Sequence, residues 1–311
     1  MDRINKVSKR SISKLNLTSG FENFDKIIQS FGKSNLYVLA GRPGMGKTSL
    51  GLNIVHHLAL KQHATVAIIS YEMTLNQITS RLLSISTDIP NDKIINQNLE
   101  DFENSHLDKK ESELVSANIF VDCPATLNFK DLKSKIKDLK NTKGIDFLLV
   151  DDIQRITISD EDRKFASNRE QEVSKNVRDL KALAKEIEIP ILAISQLNRD
   201  NKEREDRRPI LTDIRDSGAI ENDSDMIIFL HRPEYYGITE DESGNSLLGI
   251  AEIEVAKNRH GALGRVHLRF KKEIPKYCDI EFNTFSFEPE SFGSKMNEEF
   301  DENNLSSNNP F

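Results

Sequence analysis

Short apolar runs recur along this chain, each followed by a longer stretch with helical spacing. Leu36-Tyr37-Val38-Leu39-Ala40 is the first run, and Ser49 to Leu58 behind it carries the stripe of an amphipathic helix. Thr65 to Ser70 predicts a second strand, and Asn76 to Ser86 a helix with its apolar face at Ile78, Leu82 and Ile85. Ile119 to Asp122 predicts a third strand, then a helix from Leu127 to Asn141 capped by Asn128, then a fourth strand from Asp146 to Asp151. Arg169 to Ile187 reads as a long helix, Pro190 to Ser195 as a fifth strand and Met226 to Leu230 as a sixth. Gly249 to Lys257 and Gly264 to Lys271 predict an antiparallel hairpin turning through His260-Gly261-Ala262. The pattern is weak from Asn91 to Val115, where short helices are expected. Alternating β and α segments specify an α/β fold: a mostly parallel twisted sheet with helices on both faces and a carboxy-terminal antiparallel hairpin.

Three regions follow from these periodicities. Residues 1–17 are basic and poor in apolar residues (Arg3, Lys6, Lys9, Arg10, Lys14), residues 18–287 form the folded domain, and 288–311 form an acidic tail expected to be disordered. Phe24, Ile27 and Ile28 are the apolar anchors ahead of the first strand. The full chain of 311 residues carries a net charge of −7. Six acids and one lysine after Phe287 account for −5 of it, so the rest is close to neutral and charge alone does not exclude nucleic acid. No apolar stretch approaches the ~18 residues that cross a bilayer, and the start has no signal-peptide core. The two cysteines, Cys123 and Cys278, lack metal-like spacing and suit a reducing, cytoplasmic location.

The chemistry concentrates where strands end. Gly41-Arg42-Pro43-Gly44-Met45-Gly46-Lys47-Thr48-Ser49 matches G-x-x-x-x-G-K-[ST] between a strand and a helix, the frame in which that string is a phosphate-binding P-loop. Its backbone N–H groups and Lys47 would hold the phosphates of ATP or another nucleoside triphosphate, and the Thr48 hydroxyl a Mg²⁺ ion. Asp151, after an apolar run, has the position of an acid that joins Thr48 in holding Mg²⁺, although an acidic strand-to-loop turn would look the same. Glu72 after the second strand is placed to polarise an attacking water, or else simply begins a helix, where acids suit the dipole. Gln196 after the fifth strand is placed beside a γ-phosphate, or is an ordinary polar strand end. Parallel sheets of this kind place ligands at the carboxyl ends of their strands.

Taken together these segments resemble the carboxy-terminal motor domain of the DnaB family of replicative DNA helicases, a RecA-like branch of the P-loop NTPases. The resemblance rests on the P-loop, Ser70-Tyr71-Glu72-Met73, Leu180 to Glu186, Ile194 to Arg199, Asp213 to Asp225 and Ala256 to Gly261, in the family's order over roughly residues 18–282. It implies an ATP-hydrolysing motor, a hexameric ring that translocates on single-stranded DNA and unwinds duplex during replication. Carried over residue by residue, Glu72 is the catalytic base, Asp151 the Walker B acid and Gln196 the γ-phosphate sensor. Lys257 and Arg259 are the basic pair that reaches a neighbouring subunit's nucleotide; without the resemblance they read as surface charges beside a hairpin. The loop of Arg215, Asp216 and Gly218 lines the channel and holds the DNA backbone in the family; alone it reads as a solvated loop.

The chain also departs from the family. Ahead of the motor the family carries an extra helical domain, where this sequence has some 17 residues, expected to be a disordered leader or the remnant of a linker helix. Asp152 stands where relatives have an aromatic residue, and Asp216 where they have glutamate. The terminus Asn308-Asn309-Pro310-Phe311 is similar to the partner-recruiting tail of bacterial single-strand-binding proteins, with asparagines in place of aspartates; a featureless end is the plainer reading. Primase, a helicase loader or a single-strand-binding protein are the partners the resemblance implies. Two further readings remain open at this point. One is a nucleotide-switched ring-forming DNA-binding or assembly factor of the same fold without unwinding activity. The other is a RecA-like recombination or clock-type ATPase, against which the segments Ser195 to Arg199 and Asp213 to Asp225 argue.

Overall fold

The structure is a computed structural model that describes residues 16–157, 169–197, 204, 206–280 and 290–292. In chain order it runs α1 (Glu22–Ile28), β1 (Leu36–Gly41), α2 (Lys47–Leu60), β2 (Val66–Ser70), α3 (Leu75–Thr87), α4 (Asn91–Ile95) and α5 (Asp101–Ser116). Then come β3 (Ile119–Asp122), α6 (Phe129–Lys143), β4 (Phe147–Asp151), α7 (Arg169–Ile187), β5 (Ile191–Gln196), α8 (Gly218–Asp223) and β6 (Met226–His231). The chain closes with β7 (Ile250–Asn258), β8 (Leu263–Lys271), β9 (Lys276–Asp279) and β10 (Glu290–Phe292). Short 3-10 turns occupy Ile153–Arg155, Leu211–Ser217 and Pro233–Tyr236.

The strands with unbroken apolar runs lie in the middle of the sheet, where both faces are covered. The order is β10-β8-β7-β6-β1-β5-β4-β2-β3, with β9 also on β8. Pairing is parallel from β6 to β3 and antiparallel from β6 outward through β7, β8, β9 and β10. Alternate side chains feed two cores: Leu39, Leu50, Ile54, Phe147 and Leu192 pack on one face, Val38, Val177, Leu180, Leu183 and Ile227 on the other. The expected anchors Phe24, Ile27 and Ile28 are buried with the first set. The α/β class, the mainly parallel sheet and the carboxy-terminal hairpin all agree with the sequence pattern.

Three details differ. The stretch from Asn91 to Val115 holds the short α4 but also the 16-residue α5. A capping box of Glu100 and Glu103 starts α5, and Lys93 grips Glu103 at 2.8 Å. Phe102 and Val115 stay exposed, so its apolar residues make no periodic stripe. The helix expected from Leu127 begins at Phe129, because the Asn128 side chain accepts from the Asp131 N–H at 3.0 Å and caps it there. Within the expected disordered tail, Glu290–Phe292 adds a strand to β8. The basic leader through Lys14, the residues from Asn198 to Glu203 and the terminal Asn308 to Phe311 lie outside the described residues. Among the described residues no helix is long and apolar enough to cross a membrane.

Candidate nucleotide-binding site

β1 ends at Gly41, and five intervening residues lead into α2 at Lys47. Gly46, the residue before α2, has φ +94°, and a Cβ there would lie 2.5 Å from the Tyr277 hydroxyl. A Cβ at Gly41 would lie 2.8 Å from the Leu230 carbonyl oxygen. Both positions therefore require glycine. The first bond within α2 is Leu50 N–H to the Gly46 carbonyl at 2.9 Å. The N–H groups of Lys47, Thr48 and Ser49 have no acceptor within the helix and form the positive end of its dipole, suited to phosphate.

Lys47 is buried beside this turn and donates to the Arg42 carbonyl at 3.1 Å. Burial lowers its pKa, opposed by the carboxylates of Asp151, Glu72 and Asp152. The Thr48 hydroxyl donates to Asp151 Oδ2 at 3.0 Å. Asp151 is only 1% exposed, and its second oxygen, Oδ1, is buried without a hydrogen-bond partner. Burial pushes its pKa up to about 6, helped by Glu72 and Asp152 and opposed by the Thr48 hydroxyl and Lys47. An orphaned carboxylate oxygen beside a hydroxyl is a donor set that fits Mg²⁺, an ion that keeps several waters and takes other ligands from substrate phosphates. Asp152 is buried too, which raises its pKa, and it accepts from the Arg155 N–H at 3.0 Å to start the 3-10 turn behind Asp151. Its carboxylate therefore has a structural use in that turn.

β2 delivers Glu72 to the same place. The Tyr71 N–H reaches the Asp151 carbonyl at 2.7 Å, and Ser70 Oγ accepts from the Met73 N–H at 3.1 Å, so the turn holding Glu72 is fastened to the end of β4. A cleft of about 800 Å³ is lined by Pro43, Gly44, Gly46, Lys47, Thr48, Ser49, Glu72 and Gln196. Met45 instead packs into the core, and the Arg42 guanidinium lies 5.7 Å from the centre of the Tyr236 ring.

The other expected residues are elsewhere. Lys257 and Arg259, at and beyond the end of β7, turn toward the carboxyl end of α8. Lys257 Nζ donates to the carbonyls of Glu221 and, at 3.0 Å, Ser224; Arg259 donates to that of Asn222 and lies 3.6 Å from Asp225 Oδ1. Burial and the neighbouring Arg259 lower the Lys257 pKa. Arg215 and Asp216 fall in the 3-10 turn before α8 and Gly218 begins that helix; the Arg215 and Asp216 side chains lie outside the description.

Several functional neighbours escape sequence reasoning. Arg81, Arg155, Arg232 and Lys272 line the cleft as cations. Burial lowers the Arg81 pKa while Asp151 and Glu72 raise it. Tyr277 closes the loop from behind, its hydroxyl 3.2 Å from the Met45 carbonyl, and Asn53 ties β9 to α2 through the Pro275 carbonyl at 3.0 Å. None of these carries a motif; each acts through a contact made only on folding.

A P-loop opening a helix, an acid at the end of the strand two places away and a cleft-lining glutamine at the end of the strand between them define a RecA-like P-loop NTPase. The sequence matches the profile of the DnaB-like helicase C terminal domain over residues 16–279, and the chain belongs to that family. It is 36% identical over 280 residues to the replicative DNA helicase DnaB of Geobacillus stearothermophilus, covering 90% of this chain and 60% of that protein. A solved ATPase domain superposes with a TM-score of 0.79 at 28% identity, over 90% of this chain and 98% of that one. A DnaB-like replicative helicase, solved in a study of its interactions with primase, gives the same score and identity over 89% of this chain and 67% of that one. The chain thus spans about 60% of the length of the replicative helicases it matches.

Proposed function

We propose that this chain is the ATP-hydrolysing motor of a replicative DNA helicase, working as a hexameric ring that translocates on single-stranded DNA and unwinds duplex. The observation that carries the reading is the convergence of Lys47, Thr48, Glu72 and Gln196 on one cleft, with Asp151 bonded to Thr48, in a member of the DnaB-like family. Lys47 and the N–H groups opening α2 bind the phosphates. Thr48 and Asp151 would hold Mg²⁺, which would supply neutralisation of the phosphate charge. Glu72 takes the proton of the attacking water, and Gln196 senses the γ-phosphate.

Lys257 and Arg259 serve the nucleotide of an adjacent chain, where the finger arginine stabilises charge in the transition state. Within one chain they do not line the cleft and rest on α8, which supports a site completed by an adjacent chain. Arg215, Asp216 and the Gly218 N–H hold the DNA phosphates in the channel, a contact indifferent to base and sensitive to salt. Primase, a loader or a single-strand-binding protein are the proposed partners, and a cytoplasmic location is proposed with them. The direct test is unwinding of a forked DNA duplex by the purified protein with and without ATP and Mg²⁺. Strand separation that needs ATP supports the motor; ring formation and DNA binding without separation assigns the nucleotide-switched assembly factor instead.

A further inference from the structure

The end of β5 poses a backbone problem. The ladder between β4 and β5 stops at Val150 against Ala193, while β5 continues to Gln196 alongside β1. After Asp151 the chain leaves the sheet and enters the 3-10 turn of Ile153–Arg155, so Gln196 has strand β1 on one side and no strand on the other. Gln154 fills that gap with its side chain. Its Oε1 accepts from the Gln196 N–H at 3.2 Å, and its Nε2 donates to the Gln196 carbonyl at 3.0 Å and to Ser195 Oγ at 2.9 Å. A carboxamide offers one acceptor and two donors in a plane, and here all three are used. The side-chain amide supplies the acceptor and the donor that a continued β4 would have offered, and carries the ladder on to Gln196.

The consequence concerns the cleft. Gln196 is itself exposed there, so its orientation depends on how its main chain is held. That main chain is fixed between Gly41, where the P-loop begins, and Gln154, three residues beyond Asp151. We infer that Gln154 is a positioning residue, which sets the Gln196 carboxamide in register with Asp151 and with the phosphates. This rests on the sensor role proposed for Gln196. Leucine or methionine would fill the space of Gln154 but leave both main-chain groups of Gln196 without partners on that side. Glutamate would keep the acceptor for the N–H and set a negative charge against the Gln196 carbonyl.

The test uses Gln154→Met, Gln154→Glu, Gln196→Ala and the double variant Gln154→Met/Gln196→Ala of the full chain. Turnover with single-stranded DNA, binding of a fluorescent ATP analogue, melting temperature and hydrogen exchange at the Gln196 amide are measured. Gln154→Met is expected to lower kcat by about 10- to 100-fold, with the analogue's Kd changed less than about 3-fold. The Gln196 amide should exchange at least ~10-fold faster. Gln154→Glu should retain part of that protection. If Gln154 acts through Gln196, the double variant is no slower than Gln196→Ala alone. Multiplying losses in the double variant, or normal kcat in Gln154→Met, would overturn the positioning role while leaving the sensor. Normal turnover in Gln196→Ala removes the sensor itself and this role with it. An equal loss of melting temperature and kcat across both Gln154 variants, with no faster exchange at Gln196, assigns Gln154 to general stability and refutes the inference.

Discussion

Asp151 should make the nucleotide-free protein less stable as the pH rises, and Asp151→Asn should remove that dependence. Burial of the carboxyl, with Glu72 and Asp152 beside it, lifts its pKa from 3.8 to about 6. In the unfolded chain it titrates near 3.8. Between those values the folded state holds one more proton, so unfolding free energy falls as pH rises. The penalty is absent below about pH 4 and complete above about pH 6. At about 1.4 kcal/mol per pH unit the whole span is on the order of 3 kcal/mol. Asparagine keeps an acceptor for Thr48 and carries no charge at any pH. It also buries an amide N–H₂ and removes a partner of Lys47, effects that offset part of the absolute gain.

The informative quantity is therefore the difference between the two proteins as a function of pH. Urea unfolding in EDTA at several pH values from about 4.5 to 7.5 measures it. The variant should gain on the wild type by about 2 kcal/mol over that range, with most of the change below about pH 6.5. Glu72, Asp152 and Arg81 face the site in both proteins and largely cancel. Adding Mg²⁺ with a non-hydrolysable ATP analogue should stabilise the wild type and not the variant, because the ligand that needs the ionised acid is lost. A difference that does not change with pH, or one that changes in the opposite direction, would refute the assignment of Asp151 as a strained, metal-ready carboxylate.

Other outcomes follow from the proposed roles and, for Glu252, from the fold. Arg259→Ala should cut DNA-stimulated hydrolysis by about 10³- to 10⁵-fold and leave nucleotide affinity unchanged, read by turnover and by equilibrium binding of a labelled analogue. Arg215→Ala should keep the ring, seen by light scattering, and lose the stimulation of hydrolysis by single-stranded DNA. Glu252 is 3% exposed; burial would raise its pKa, but a two-point grip by Arg208 at 2.7 and 2.8 Å and the nearby His267 hold it well below the usual carboxylate range. Arg208→Met strands that charge and should cost about 2–3 kcal/mol in urea unfolding at pH 7, under the ~3–5 kcal/mol of a fully buried pair because Arg208 is half-exposed. That loss should shrink as pH falls, because without Arg208 burial raises the Glu252 pKa and the variant takes up a proton before the wild type does.

Legibility from sequence follows the distance over which each feature is encoded. The strands β1, β2, β4, β5 and β6 are written as continuous apolar runs because the sheet buries both their faces, and the P-loop is contiguous in the chain. Glu72, Asp151 and Gln196 can be proposed because one rule, that groups gather at carboxyl strand ends, applies to all three. α5 reads only as short helices, since its start is set by Glu100, Glu103 and Lys93 rather than by a stripe. Arg81, Tyr277 and Gln154 are invisible for a different reason. Each meets its partner across a crossover, as Tyr277 meets Met45, and no local spacing encodes such a meeting.

The position of Lys257 and Arg259 follows from the chemistry of a helix end. α8 is only 6 residues long, and its last carbonyls need donors that the helix cannot provide. Two cations from the end of β7 supply them, and cations at that end also meet the negative pole of the dipole. The same donors cannot simultaneously hold a phosphate on another chain. α8 follows directly on the turn that carries Arg215. In the proposed ring, an arginine that leaves for a neighbour's nucleotide would uncap the helix behind the proposed DNA loop, so occupancy of one chain's cleft and the footing of the next chain's loop would draw on the same two side chains. Such coupling would be reciprocal: DNA that favours the uncapped arrangement of α8 would also favour nucleotide in the adjoining cleft.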